Sequence, residues 1–211
     1  MRKSLFVTFE GGEGAGKTTL IRRLEKELNQ RHYSTLQTRE PGGTPLGEQI
    51  RLLVLRGGVK VDARAELLLF LAARAQHLQE VIRPALAEGK TVLCDRFNDS
   101  SVAYQGIARG LGEEYVQQLC DQVCQGTTPD LTFFLDLDPS IGMERALKEQ
   151  RVMDRLENEG SSFHDKVRQG FFKLHQKNSD RIKIIDASDS PEAVFNQAWQ
   201  EIENKFRATH V

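Results

Sequence analysis

The chain is poor in the features that most readily place a protein. It has only three cysteines, Cys94, Cys120 and Cys124, and their spacing fits neither a disulfide framework nor a metal site. Cys120 and Cys124 are four residues apart and share a helix face. All three read as small apolar packing residues, which implies a reducing, cytoplasmic setting. The net charge is -1, so no global field draws the chain to nucleic acid or to a membrane surface. No apolar run approaches the ~20 residues of a membrane span. The first residues, "MRKSLFVTFEGG", carry two basic groups and a short apolar run, as a secretory leader does. The run breaks at Glu10 and lacks a small-residue cleavage site, so a buried strand is the better reading. The five histidines, His32, His77, His164, His175 and His210, show no ligand spacing. Internal repeats, low-complexity stretches and interdomain linkers are absent too, so 211 residues are expected to form one domain.

What is present is a regular alternation. "SLFVTFE" (4–10), "STLQT" (34–38), "TVLCD" (91–95), "LTFFLDL" (131–137) and "IKIID" (182–186) are short and rich in β-branched and aromatic residues, as strands are. Amphipathic stretches lie between them. Leu20, Ile21, Leu24 and Leu28 form one stripe, and Ile50, Leu53 and Val54 another. Residues 63–80 predict a long apolar helix behind Asp62 as N-cap. "GEEYVQQLCDQVCQG" and "DSPEAVFNQAWQEIENKF" predict further helices, the second capped by Ser190 with Pro191 in its first turn. Continuous apolar strands alternating with helices predict an α/β fold, a five-stranded parallel sheet with helices on both faces. Residues 142–160 differ. They are dense in charge, with Arg145, Lys148, Arg151, Asp154 and Arg155, and read as a short mobile surface segment.

Ligands in such folds bind beyond the carboxyl ends of the strands. At the first of these ends stands Gly11-Gly12-Glu13-Gly14-Ala15-Gly16-Lys17-Thr18-Thr19, which contains G-x-x-x-x-G-K-T between a strand and a helix. Bare backbone N–H groups and a helix N-terminus suit phosphate oxygens. Lys17 is placed to reach the β- and γ-phosphates, and Thr18 to ligate Mg²⁺. The loop predicts a nucleoside triphosphate with magnesium, and does not by itself separate GTPases, ATPases and small-molecule kinases. No N-K-x-D element for reading guanine is present. Glu13 is unexpected there, because a carboxylate pointing inward would repel the triphosphate.

A second site is expected at the other strand ends. Asp95-Arg96 closes the third strand: an aspartate there suits magnesium or its water shell, and the arginine suits a second anion. "DRFNDSSVAYQG" (95–106) then crowds polar and aromatic groups together, either as a site or as a polar loop capping a helix. Phe70 and Arg74 lie four apart and project from one helix face. Among Leu67, Leu68, Leu69 and Leu71, Phe70 reads as core or as a stacking ring, whereas Arg74 needs a partner. In "TREPGGTPLGEQIR" (38–51), Arg39 and Glu40 form a structural ion pair or part of the site. Arg51 faces either an acceptor phosphate or solvent.

These segments together resemble the thymidylate kinase family, among the P-loop nucleoside monophosphate kinases. "DRFNDSSVAYQG", "REPGGT", "LFLAAR" and the phosphate loop occur in the family's order, and the likeness spans essentially the whole chain. The resemblance implies transfer of the γ-phosphoryl of ATP to dTMP, giving dTDP, with Mg²⁺. It implies that Phe70 stacks on thymine, that Arg74 bonds its O4 edge, and that Ser101 and Gln105 lie near the base. Tyr104 would sit beneath the deoxyribose and exclude a 2′-hydroxyl. Arg96 with Arg51 would hold the acceptor phosphate, Glu40 would lie close by, and Glu13 would accept from the 3′-hydroxyl unless it bonds the loop backbone. Residues 142–160 would be the lid over ATP. Some members carry a catalytic arginine in the phosphate loop. Here that position is Gly14, as in the bacterial-type branch, whose lid supplies the arginine, with Arg151 ahead of Arg145 and Arg155. A homodimer, helped by the 63–80 helix, is also implied. No nucleic-acid or membrane partner is.

Overall fold

The computed structural model describes residues 4–56, 60–148 and 153–208. Strands β1 (Phe6–Gly11), β2 (Thr35–Arg39), β3 (Thr91–Asp95), β4 (Leu131–Asp136) and β5 (Ile182–Asp186) form one sheet in the order β2-β3-β1-β4-β5, and every pairing is parallel. The five expected strands are therefore the five found, within two residues at each end. Their apolar runs are continuous because both sheet faces are covered. Leu5, Val7 and Phe9 of the first strand region point into a core completed by helices α1 (Lys17–Gln30) and α9 (Pro191–Ala208). On the opposite face, Phe6 packs edge-on to Phe97 with ring centroids 5.0 Å apart. Phe134 of β4 stacks on Phe171 at 4.9 Å, from helix α8 (Ser161–Lys177). Truncating such a ring to alanine costs roughly 3–5 kcal/mol.

The expected caps are present. Asp62 accepts from Arg64 N at 2.9 Å, and Ser190 from Ala193 N at 3.2 Å. The expected 63–80 helix is α3 (Ala63–His77), and the chain then passes through a π-helical turn (Leu78–Ile82) into α4 (Arg83–Ala87). The wider turn brings Pro84, which has no N–H to give, into a continuing helical path. Helix α2 (Pro45–Leu55) packs beside α3, and α6 (Glu113–Cys124) carries buried Cys120 and Cys124. All three cysteines are free and buried, as expected of packing residues.

Two segments depart from expectation. Residues 98–108, read from the sequence as a site or as a polar loop capping a helix, are helical, α5 (Asn98–Ser101) continuing into a π-helical turn (Val102–Ala108). The charged segment is not uniformly a surface strap. Its first part belongs to helix α7 (Pro139–Lys148), with Gly142 and Ala146 buried, and Leu156 is buried further on. The charges there are spread around a helix whose narrow inner face is made of small residues, which leaves no strong apolar stripe for a sequence pattern to detect. Helix α8 was not anticipated either, although Phe163, Val167, Phe171 and Leu174 recur at helical spacing and pack into the core.

Candidate functional site

The sheet reverses its winding between β1 and β3, where Phe9 pairs with Asp95. Open parallel sheets bind ligands at that crevice. The phosphate loop leaves β1 there, and Asp95-Arg96 leave β3 beside it. An open cavity at this point is lined by Glu13 through Thr19, together with Arg39, Glu40, Arg51, Asp95 and Arg96. The loop is shaped by close contact from behind. Gly14 has φ 66°, and a Cβ there would lie 2.3 Å from the Gly142 carbonyl oxygen. A Cβ on Gly142 would in turn meet the Glu13 oxygen at 2.1 Å. Loop and α7 therefore touch backbone to backbone, and no arginine fits at position 14.

Lys17 is buried and its Nζ donates to the carbonyls of Gly11 (3.2 Å) and Gly12 (2.8 Å). Burial lowers its pKa, Arg96 adds to that, and Asp95, Glu13 and Glu10 oppose it. Arg96 adopts φ 69°, an uncommon conformation for a side-chain-bearing residue and one concentrated at functional sites. Its guanidinium donates to Gly11 O at 3.0 Å and lies 5.2 Å from the Tyr104 ring centroid. Burial opposes its charge, but Tyr104, Asp95, Glu13 and Glu10 outweigh that and raise its pKa. The turn is held by Glu10, fully buried at the end of β1, which accepts from Phe97 N at 2.9 Å and from the Ser100 hydroxyl. Burial, then the nearby Asp99, pushes the Glu10 carboxyl up to about 8. Glu10 was not singled out as a site residue. The available signal was a charge at the end of an otherwise apolar strand.

A second cavity opens next to the first. It brings together Glu13, Glu40, Arg51, Phe70, Arg74, Arg96, Ser101, Tyr104 and Gln105, residues from six separated stretches of chain. Phe70 is half-buried: it packs on the core and also lines the cavity. Arg74 has the partner its position demanded. Its Nε donates to Glu40 Oε2 at 2.7 Å and its Nη2 to Ser101 Oγ at 3.0 Å. Glu40 also meets His77 Nδ1 at 3.0 Å, and His77 Nε2 reaches Thr38 Oγ1 at 2.6 Å. The Arg39–Glu40 pair considered from the sequence does not form. Alternate residues of a strand point to opposite faces, so Arg39 pairs with exposed Glu48 at 3.0 Å while Glu40 turns inward. Arg51 donates to Pro41 O at 3.0 Å and faces the cavities rather than solvent.

Residues beyond the expected set also form the walls, among them Asp154, Leu156, Glu157 and His164. Glu157 hydrogen-bonds Glu13, and burial followed by that bond lifts its pKa to about 7. Of the three lid arginines considered, Arg145 donates to Gly14 O at 3.3 Å and touches the phosphate loop. Arg155 instead turns to Glu66 and the end of α2, away from the loop. Arg151 lies outside the described residues.

The residues at the first cavity fit a magnesium nucleotide. Asp95 Oδ1 is buried with no hydrogen-bond partner, an acceptor left for a cation or its water, and Thr18 lines the same space. No group of three or more His, Cys, Asp or Glu suited to a metal occurs among the described residues. Such a site suits a cation that arrives with phosphate and keeps its waters.

Comparisons with known proteins agree with this geometry. A family model described as thymidylate kinase matches residues 9–198. A thymidylate kinase from Protochlamydia amoebophila (strain UWE25) is 48% identical, with 97% of this chain and 94% of that protein covered. One from Chlamydia muridarum (strain MoPn / Nigg) is 50% identical over 94% of this chain and 98% of its own. The crystal structure of thymidylate kinase from Ehrlichia chaffeensis superposes with a TM-score of 0.75 at 34% identity, covering 95% of this chain and 99% of that one.

Proposed function

Because the chain belongs to the thymidylate kinase family and so phosphorylates dTMP to dTDP with ATP, we propose a division of labour among its residues across the two adjoining cavities. The observation that carries it is that Glu13, Glu40, Arg51 and Arg96 line both cavities at once. Two arginines at a shared boundary suit the region where one phosphate faces another. The first cavity takes the phosphates of ATP, whose oxygens replace the Gly11 and Gly12 carbonyls as partners of Lys17. The second takes dTMP, with Phe70 against the base, Arg74 and Ser101 at its edge, and Tyr104 beneath the sugar. Glu13 faces the sugar and not the triphosphate, which accounts for an acid in this loop.

Phosphoryl transfer needs alignment and charge neutralisation more than covalent help. Arg96 and Arg51 fix the acceptor phosphate, in line with the donor. Lys17 neutralises charge on the transferring group, and Arg145 is the described lid arginine that touches the phosphate loop. Thr18 and Asp95 would hold Mg²⁺, which would supply further neutralisation of phosphate oxygens. In the charged segment α7 backs the phosphate loop, while Asp154, Leu156 and Glu157 wall the acceptor side and help to exclude water.

The exposed apolar residues Leu52, Leu53 and Leu68 on neighbouring helices α2 and α3 support a homodimer through this face. Sedimentation velocity of the wild type and of Leu53→Glu tests it. Buried free thiols support a cytoplasmic location, and no described helix is long and apolar enough to cross a membrane.

The site assignment is tested with ATP and a panel of dTMP, dUMP, UMP, CMP, AMP and thymidine, run on the wild type and on Tyr104→Ala. The variant is expected to accept ribose acceptors relatively better. Unchanged discrimination between deoxyribose and ribose would overturn the role of Tyr104.

A further inference from the structure

Glu66 is a carboxylate on α3 with its side chain 1% exposed. It takes no part in the division of labour above, yet it is among the most heavily bonded side chains in the molecule. Its Oε1 accepts from Gln105 Nε2 at 2.8 Å. Arg155 Nη2 donates to its Oε2, and Arg109 approaches both oxygens at 3.5 Å. Each arginine is held a second time. Arg155 donates from Nε to Val54 O at 2.9 Å and from its backbone N to Leu55 O at 2.9 Å. Arg109 donates to Glu159 at 2.6 Å and lies 4.7 Å from the Phe163 ring centroid. Glu66 thus joins α3, the end of α2, the turn after α5 and the 153–159 stretch. A buried charge tied so fully is costly to place and is kept where it fixes geometry.

The Gln105 bond has a chemical consequence. An ionised carboxylate beside arginines can only accept hydrogen bonds, so the Gln105 amide must present its NH₂ to Glu66. The amide cannot flip without setting two acceptors against each other. Its oxygen is therefore the atom left for the cavity that Gln105 lines. A fixed acceptor there matches a pyrimidine with N3–H, as in thymine and uracil. It opposes cytosine, whose N3 is itself an acceptor. We propose that Glu66 is a positioning residue that sets base selectivity by locking the Gln105 carboxamide with its oxygen toward the acceptor base. This inference rests on the assignment of the second cavity to dTMP.

The test compares kcat/KM for dUMP and dCMP, which both lack the thymine methyl and differ at the base edge. Glu66→Gln gives Gln105 a neighbour that can donate as well as accept, which permits the flip. The dUMP:dCMP ratio is expected to fall by about tenfold or more, because discrimination by buried hydrogen-bonding groups depends on their orientation. Glu66→Asp keeps the charge but draws it back. It is expected to lower the ratio less, and it decides the question if Glu66→Gln does not yield folded protein. Arg155→Gln removes an anchor of the 153–159 stretch while leaving the Gln105 bond, so acceptor KM should rise with the ratio kept. An unchanged ratio in folded Glu66 variants, with activity on both acceptors falling in proportion, would reduce Glu66 to a structural support and overturn the proposal. Phe70→Ala in the same panel separates the premise: if acceptor KM is untouched there, the cavity assignment has failed, not the role of Glu66 alone.

Discussion

The donor and acceptor cavities share a wall but are built in opposite ways. Most of the donor side comes from one stretch, Glu13 to Thr19, bent by glycines and backed by α7. The acceptor side is side chains drawn from α2, α3, the β2 and β3 ends, α5 and the 153–164 region. The chemistry follows from this. Phosphate is the same in every nucleotide and is gripped by N–H groups that every residue but proline has. A base and a sugar differ between nucleotides and are told apart by oriented side chains, which need a second layer to hold them: Glu40 for Arg74, Glu10 for the Arg96 turn, Glu66 for Gln105.

The comparison breaks most severely if Lys17 proves dispensable. Lys17→Ala is expected to lower kcat by roughly 10²–10³, as loss of a preorganised donor to developing charge does, with dTMP affinity little changed. Near-normal turnover would remove the loop from the chemistry. Gly14→Ala tests whether the donor side depends on backbone contact with α7. It forces a methyl against the Gly142 carbonyl and should cost about 1–3 kcal/mol in stability, as overpacking does. It should also weaken ATP more than dTMP. Denaturant unfolding and the two KM values read this out, and a neutral result would show that the loop and α7 can part freely. Phe70→Ala should raise dTMP KM by about tenfold, the worth of an aromatic stacking contact, with ATP KM unchanged. Equal loss on both sides would make it simply a core residue. A separate effect concerns pH. The Glu10 carboxyl rises from 4.5 to about 8 on folding, so the stability it lends is complete below about pH 4.5 and fades as pH climbs through 8. Glu10→Gln should flatten the fall in Tm across that window, and a Tm profile parallel to the wild type would show that Glu10 is not the group responsible.

The same contrast explains what could be read in advance. The strands and most of the helices were legible because their apolar periods are long and regular, and Asp62 and Ser190 cap where expected. The phosphate loop was legible because its parts are contiguous. Phe70 and Arg74 were visible as a pair on one helix face. Their context was not: the partner of Arg74 is Glu40, 34 residues away in sequence. Arg155 reads like any other charge in a basic segment, and only its bonds to Glu66 and Val54 take it away from the donor, behind the acceptor wall. The histidines show no ligand spacing in the sequence, and only the fold makes His77 a buried link between Thr38 and Glu40.

The sequence by itself determined the parallel sheet, the position of the phosphate loop and, through the order of its motifs, the family. These depend on short-range pattern, which survives without knowledge of neighbours. The tertiary structure alone decided which carboxylate holds which guanidinium, why residue 14 must be glycine, and that one wall of the acceptor cavity comes from the charged segment. Those facts depend on distances between residues far apart in the chain. Burial then gives each such pairing its force, because a charge taken out of water must find a partner wherever the fold places one.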